Sequence, residues 1–404
     1  MGLLDVFRGN TRQVAPQVIN IDNSLGNTVL SGSSKYGVEQ IFTYFLNDAY
    51  NNGKKILVLR GSANSFSSLN TSFRTRQDEV YSIDLSQGAR ISNQLNLFDV
   101  YQGSEQIQQI SETIAKYCEL EAKIKTLIAR YIETINKLRI GTVETPKITD
   151  LVKFHIDRLD TLNARYSQNN LDGRSIQLYL DGIRHTDYFY IESAFSEIAN
   201  SGLGKVLSGR KSLRDVFSEK DIVEITIDST DTRGTNTFLY TVYKYLIKLN
   251  NSYDKYLIII DGLTPEQYVD SDLTKLLSLS QLQIAYSIQD IKGMTNKVGN
   301  QWLEQTSSIL FFRQTSPENM TFAADKIGKY ETVERERSGG SSHPKTIMGS
   351  LFGIYDRNKL QVQEGWHERK VEKYHFRPEE FGALSEREAI VYISSTGIFS
   401  KLSL

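Results

Sequence analysis

Residues 32–39 read Gly-Ser-Ser-Lys-Tyr-Gly-Val-Glu, and this stretch decides the fold predicted for the chain. It follows an apolar run at residues 28–30 and precedes apolar residues at helical spacing, from Ile41 to Tyr50. The pattern predicts a strand, a loop with two glycines five residues apart, and a helix. Such a unit is typical of α/β proteins, in which strands and helices alternate along the chain.

The loop has the frame of the phosphate-binding motif G-x-x-x-x-G-K-[ST]. In that motif backbone N–H groups hold phosphates, the lysine reaches the β- and γ-phosphates, and the hydroxyl contacts Mg²⁺. Here Val38 stands at the lysine position and Glu39 at the hydroxyl position, so the loop predicts a degenerate nucleotide site. An ordinary strand-to-helix turn is the alternative. The candidate cofactor-binding residues in this loop are Gly32, Ser33, Ser34, Lys35, Gly37, Val38 and Glu39.

Length and composition bound the class of protein. The 404 residues leave room for two domains, or for one domain with a large insertion. A net charge of −1 does not support a nucleic-acid footprint over the whole chain, although DNA as a partner stays open. The single cysteine, Cys118, excludes an internal disulfide framework and a cysteine-rich metal site. No apolar run reaches the roughly 18 residues of a membrane span, which predicts a cytoplasmic protein that meets membranes only through partners.

The α/β pattern is interrupted by helices. Strands are predicted before residue 100 and again after residue 220, and residues 104–205 carry apolar residues at helical spacing. We therefore predict a discontinuous α/β domain, 28–103 and 206–404, with an all-helical insertion at 104–205 and an N-terminal extension at 1–27. The fold class is a mostly parallel sheet flanked by helices. Residues 331–350 are charged and then rich in Gly and Ser, which predicts a surface loop.

Two strand ends after residue 250 carry the other candidate site residues. The apolar strand at 256–260 ends in Asp261, where a P-loop NTPase has the Asp that serves Mg²⁺. Gly262 follows at the position of the water-activating Glu, so the general base is missing. Gln289, after the strand at 283–288, is a candidate sensor of the γ-phosphate. An Asp-Gly turn and a solvated strand end are the respective alternatives.

Taken in chain order, the loop, the strands and the helical stretch resemble the coupling ATPases of bacterial conjugation and type IV secretion. These ATPases are the TraG/TraD-like members of the HerA/FtsK superfamily. Residues 32–39 look like the family's Walker A motif, and YLIIIDGL at 256–263 looks like its Walker B motif. The helical stretch 104–205 stands where that family inserts its all-α domain. FRPEEFGALSEREAIVYIS at 376–394 is similar to the family's closing element. The resemblance covers about residues 20–400 and implies a RecA-like fold.

The departures from the family pattern bear on function. Val38 and Gly262 replace the Walker lysine and glutamate, and Ser278 stands where the family has an arginine acting in trans. Three losses predict a pseudo-ATPase that is not an enzyme, with no catalytic residue, no metal ligand and no cofactor. Its role would be that of a structural or adaptor subunit of a DNA- or protein-transfer machine. Its partners would be proteins of that machine, including an active ATPase paralogue.

Two other functions stay open. The first is an active but divergent ATPase motor that uses ATP and Mg²⁺, with Lys35 reaching the phosphates. The second is a nucleic-acid-binding module without ATP. It is based on the cations Lys123, Lys125, Arg130, Lys137 and Arg139, with which the acidic residues Glu119, Glu121 and Glu133 interleave.

The densest aromatic cluster of the helical stretch is Tyr188-Phe189-Tyr190. Aromatic residues are typical anchors of protein interfaces. The cluster therefore either docks a partner protein or packs inside the helical bundle.

Overall fold

The computed structural model describes residues 25–61, 80–85, 93–139, 146–168, 172–184, 188–227, 231–249, 255–262, 273–340 and 363–404. The first 24 residues of the predicted N-terminal extension lie outside these ranges. The strands are β1 (Thr28–Ser31), β2 (Lys55–Gly61), β3 (Val80–Asp84), β4 (Ile222–Ile227), β5 (Tyr256–Asp261), β6 (Leu282–Ile288), β7 (Ser308–Phe311), β8 (Lys329–Gly340), β9 (Gln363–Tyr374), β10 (Glu388–Ile393) and β11 (Ile398–Ser403).

The described helices begin with α1, which follows β1 directly, and most of the others lie between β3 and β4 or after β4. The helices are α1 (Lys35–Asn51), α2 (Gly103–Tyr117), α3 (Ala122–Leu138), α4 (Ile148–Leu151), α5 (Ile156–Ser167), α6 (Gly173–Arg184), α7 (Tyr188–Asn200), α8 (Gly202–Val206), α9 (Leu213–Glu219), α10 (Thr232–Leu249), α11 (Leu273–Leu277), α12 (Ile291–Val298), α13 (Gln301–Glu304), α14 (Pro317–Ile327) and α15 (Pro378–Gly382).

Contacts divide the chain into two units. The larger contains Met1–Thr315 and Leu384–Leu404, and the smaller contains Ser316–Ala383. Helices α2 to α9 lie between β3 and β4 and fall within the larger unit. The boundaries predicted from the sequence at 28–103, 104–205 and 206–404 stay a prediction. The smaller unit, Ser316–Ala383, is not among the domains predicted from the sequence.

The larger unit is built on a nine-stranded sheet in the order β11-β10-β7-β1-β6-β5-β2-β4-β3. β1 pairs in parallel with β6 and β7, and β2 pairs in parallel with β4 and β5. β10 and β11 form an antiparallel hairpin at one edge. Strands from before residue 100 and strands from after residue 220 are therefore interleaved in one sheet. The predicted fold class, a mostly parallel sheet flanked by helices, is confirmed.

Helix α1 covers one face of this sheet. Its apolar residues recur three and four positions apart, which places them on a single stripe of the helix. Val38, Ile41 and Phe42 are buried in one cluster with Val58 of β2 and Ile259 of β5. The central strand β5 is buried along its whole length, as its continuous apolar sequence predicts for a sheet covered on both faces.

Helices α2 to α9 have an apolar core of their own. Tyr131 of α3 and Phe195 of α7 are buried, and their rings meet edge to face with centroids 5.7 Å apart. The Tyr131 hydroxyl donates a hydrogen bond to the carbonyl oxygen of Phe154 at 2.7 Å. No helix among the residues given above is both long and apolar enough to cross a membrane.

The smaller unit contains a two-stranded antiparallel ribbon of β8 and β9. The loop predicted at 331–350 is therefore wrong for residues 331–340, which belong to β8, and residues 341–350 lie outside the described residues. Charged residues occur on both faces of the ribbon, so its strands lack the apolar alternation that would reveal them in the sequence. One cross-strand ion pair joins Glu334 to Lys373 at 2.7 Å.

We expect Ile259→Ala to lower the free energy of unfolding by about 2 to 5 kcal/mol, because the fully buried side chain leaves a cavity between β5 and α1. Ile398→Ala on the edge strand β11 is the matched control, since Ile398 is 41% exposed. It should cost about 1 kcal/mol or less. Urea unfolding of both variants measures the difference, and equal losses would contradict the central position of β5.

Candidate functional site

The predicted site residues come together at one edge of the parallel sheet. Gly32, Asp261 and Gln289 stand at or directly after the carboxyl ends of β1, β5 and β6. In α/β proteins ligands bind at this edge, in crevices beyond the strand ends. β6 lies between β1, which precedes the loop, and β5, which ends in Asp261. At the usual strand spacing, β1 and β5 are therefore roughly 10 Å apart.

The loop after β1 is hydrogen-bonded to its neighbours. The N–H of Gly32 donates to the carbonyl oxygen of Ile288 at 3.0 Å, and the N–H of Ser33 donates to that of Arg313 at 2.9 Å. The Ser34 hydroxyl donates to the carbonyl oxygen of Glu386 at 2.7 Å. The ends of β6, β7 and the segment before β10 thus fix the loop.

The first turn of α1 uses its own backbone donors. The helix begins at Lys35, and Ser34 is its N-cap. The N–H of Gly37 donates to the Ser34 hydroxyl at 3.0 Å, and the N–H of Val38 donates to the Ser34 carbonyl at 3.2 Å. A phosphate cradle needs such N–H groups directed at the ligand. Here the amides of Gly32, Ser33, Gly37 and Val38 are all bonded within the protein.

The side chain at the Walker lysine position faces the core. Val38 is fully buried in the cluster that contains Phe42 and Phe312. The Phe312 ring lies against Gly37, where an added Cβ would come within 2.3 Å of the ring. Residue 37 must therefore be a glycine, but here the reason is the phenylalanine ring and not a phosphate.

Lys35 and Glu39 lie on the outer part of the same turn. Lys35 is exposed at the first position of α1, and Glu39 is half-buried. The guanidinium of Arg387 lies over the ring of Tyr36, with 5.1 Å between its carbon and the ring centroid. Within residues 32–39, Lys35 is the positively charged side chain, and it is exposed to solvent.

Asp261 is held by a neighbouring serine. The carboxylate is fully buried, and the Ser287 hydroxyl donates to its Oδ1 at 2.8 Å. The same hydroxyl accepts the N–H of Gly262 at 3.0 Å. Gly262 has a φ of +70°, the left-handed region in which a glutamate side chain would be strained. The position of the general base therefore favours glycine on conformational grounds as well.

A buried ion pair that is not among the residues predicted from the sequence stands next to Asp261. Arg60 of β2 is in register with Asp261 of β5, so both side chains leave the sheet on the face that α1 covers. The Arg60 guanidinium contacts Glu224 of β4 at 2.8 Å, and Arg60 is 6% exposed. Its Nε has no hydrogen-bond partner among the described residues. A charged residue at the end of an apolar strand, as in Leu59-Arg60-Gly61, was the available signal.

The remaining candidates have local roles. Gln289 is exposed after β6, and the carboxylate of Asp290 caps α12 by accepting the N–H of Gly293 at 2.8 Å. The Ser278 hydroxyl donates to the carbonyl of Lys275 at 2.6 Å. Within the described ranges, no group of three or more His, Cys, Asp or Glu side chains could hold a metal ion.

The fold is similar to that of a bacterial conjugative coupling protein, TrwBdeltaN70, with a TM-score of 0.59 at 12% identity over 94% of this chain and 84% of that chain. For TrwB in complex with the GTP analogue GDPNP the TM-score is 0.57 at 11% identity, over 94% and 85%. For VirB4 of Thermoanaerobacter pseudethanolicus it is 0.54 at 9% identity, over 94% and 89%. No protein-family model and no curated protein matches this chain in sequence. The resemblance seen in the sequence is confirmed at the level of the fold.

We expect Val38→Lys to destabilise the protein by about 3 kcal/mol or more, because the ammonium group would be buried among apolar side chains. Gln40→Lys on the exposed face of α1 is the matched control and should change stability by about 0.5 kcal/mol or less. Thermal and urea unfolding measure both variants. Equal stability would mean that the side chain at position 38 faces solvent.

The buried ion pair gives a second test. Glu224→Leu leaves the Arg60 guanidinium buried without its partner and should cost about 3 kcal/mol. Adding Arg60→Met should restore stability to within about 1 kcal/mol of the native protein. Glu133→Leu, which breaks the exposed pair with Lys137, is the control and should have little effect. No recovery in the double variant would show that the pair does more than balance charge.

Proposed function

We propose that this chain is a structural or adaptor subunit of a type IV secretion or conjugation-type transfer machine, and that it does not hydrolyse ATP. The fold shared with a conjugative coupling protein and with VirB4 supports its place in such a machine. The observation that carries the loss of catalysis is the internal bonding of four amides, those of Gly32 and Ser33 in the loop and of Gly37 and Val38 in the first turn of α1.

Three steps of ATP turnover lack their residue. Phosphate capture needs free amides and a lysine, but the lysine position is a core valine. Water activation needs a carboxylate next to Asp261, but Gly262 adopts a conformation that favours glycine. Charge stabilisation in trans needs an arginine, but Ser278 is bonded within its own turn. The proposal follows from all three together.

The partners of such a subunit would be proteins of the machine, including an active ATPase paralogue. A subunit with the same fold as the active ATPase, but without ATP turnover, would enlarge the assembly and contribute its own binding surfaces to it. Neither ATP nor Mg²⁺ is then needed for its role. DNA as a partner has no support from the net charge of −1.

We expect the purified chain to show no saturable ATP·Mg binding tighter than about 1 mM by calorimetry. Its melting temperature should not change with added ATP·Mg, since a ligand that binds only the folded state would raise it. Turnover should stay far below the roughly 1 per second that marks the low end for enzymes.

Lys35→Ala is the deciding variant, because Lys35 is exposed at the first position of α1. Turnover at ordinary rates that Lys35→Ala abolishes would overturn the proposal and establish a divergent ATPase. Lys326→Ala, a lysine in the last turn of α14, controls for loss of a positive charge elsewhere. Turnover that is unchanged in Lys35→Ala would indicate a contaminating ATPase. A separate purification of the variant should then remove the activity.

A further inference from the structure

A cleft of about 670 Å³ is lined by the end of α4, the segment 152–155 that follows it, and α7. Its wall contains the aromatic residues Phe154, Phe189 and Phe195 and the acidic residues Glu192 and Glu197. His155 is the one basic side chain among the lining residues, which include no Lys or Arg. The volume lies in the range of ligand-binding clefts, roughly 300 to 1,000 Å³.

The carboxylate of Glu192 is open to a further donor. The Tyr188 hydroxyl and His155 Nδ1 both contact its Oε1. Its Oε2 makes no hydrogen bond to the part of the chain that the structure describes, and its side chain is 34% exposed. A carboxylate accepts at both oxygens, so Oε2 can take a bond from a bound molecule.

Phe189 lies three residues before Glu192 on α7 and lines the same cleft. It is 77% exposed and its neighbour Tyr190 is 55% exposed, so these two rings do not pack inside the helical bundle, whereas Tyr188 is half-buried. An exposed ring within reach of an open carboxylate suits a cation that is also planar. A guanidinium donates to the carboxylate and stacks on the ring, whereas an ammonium is a compact, strongly hydrated charge.

Two arginines of the larger unit stack on aromatic rings in this way, and one of them also pairs with a carboxylate. The guanidinium carbon of Arg158 lies 5.0 Å from the centroid of the Phe154 ring. Arg233 lies 4.5 Å from the ring of Tyr117 and bonds to Glu197 at 2.5 Å. Glu197 is thus already paired, while Glu192 and Phe189 offer the same chemistry without an arginine.

We propose that this cleft docks a partner polypeptide through an arginine side chain, which bonds to Glu192 and stacks on Phe189. A polypeptide fits better than a small cation because the exposed rings of Phe189 and Tyr190 extend the apolar surface beyond the arginine site. Exposed aromatic anchors of this kind are typical of protein interfaces. The proposal uses other residues than the loop after β1 and holds whether or not the chain hydrolyses ATP.

The test is ligand-observed NMR with a capped pentapeptide, acetyl-Gly-Leu-Arg-Leu-Gly-amide, and the full chain. We expect a dissociation constant on the order of millimolar. The same peptide with citrulline, the neutral isostere of arginine, should bind about tenfold more weakly. Acetyl-arginine amide, which lacks the flanking leucines, should also bind more weakly than the peptide.

Surface variants place the binding in the cleft. Glu192→Gln should weaken binding of the arginine peptide about tenfold, and Phe189→Ala about two- to fivefold. Two matched controls should leave binding unchanged: Glu133→Gln, whose side chain is exposed on α3, and Leu178→Ala, which is 67% exposed on α6. Circular dichroism melting confirms that each variant is folded.

Four results would overturn the proposal. They are no binding of the arginine peptide, equal binding of the citrulline peptide, unchanged binding by Glu192→Gln, and acetyl-arginine amide binding as tightly as the peptide. The last would identify a site for small cations and not a docking site. A folded chain that hydrolyses ATP and still binds the peptide would separate this proposal from that of a catalytically inactive subunit.

Discussion

The structure of the larger unit depends on the packing of α1 against the sheet. Val38 and Phe42 bury themselves with Phe312, and the amides at the start of the helix bond to Ser34. The N–H of Gly37 is one of the donors that a helix terminus otherwise leaves open, and the N–H of Val38 makes the first bond within the helix. A ligand that used these two amides would have to break those bonds, so the stability of the fold and the capture of a phosphate compete for the same backbone groups.

The sequence predicts the sheet well because its signals are strong and local. Apolar runs such as residues 256–260 are typical of buried strands, and residues 104–205 show clear helical spacing. The β8–β9 ribbon is not predicted, because charged residues on both of its faces remove the alternation of apolar and polar residues that indicates a strand. At the site, the sequence places Val38 at the lysine position but cannot tell which way the side chain points. That direction follows from where α1 begins, and Phe312, far along the chain, takes part in fixing it.

Buried charge at the strand ends is balanced inside the protein. Arg60 pairs with Glu224, and Asp261 accepts a hydrogen bond from Ser287. Isolated ions in the interior are costly unless they are paired and hydrogen-bonded. Arg60 and Glu224 are more than a hundred positions apart in the chain, so local sequence patterns do not reveal their pairing.

The position of β1 between β6 and β7 affects how the chain acquires its structure during synthesis. Thr28 of β1 bonds through its hydroxyl to Ser308 of β7, 280 residues later. At about 5 to 20 residues per second, the ribosome needs roughly 15 to 60 seconds to supply that partner. Its other neighbour, β6, is also synthesised late, so β1 has no partner strand for most of this interval. An unpaired apolar strand is prone to aggregation, so the late synthesis of its partners exposes the nascent chain to that hazard.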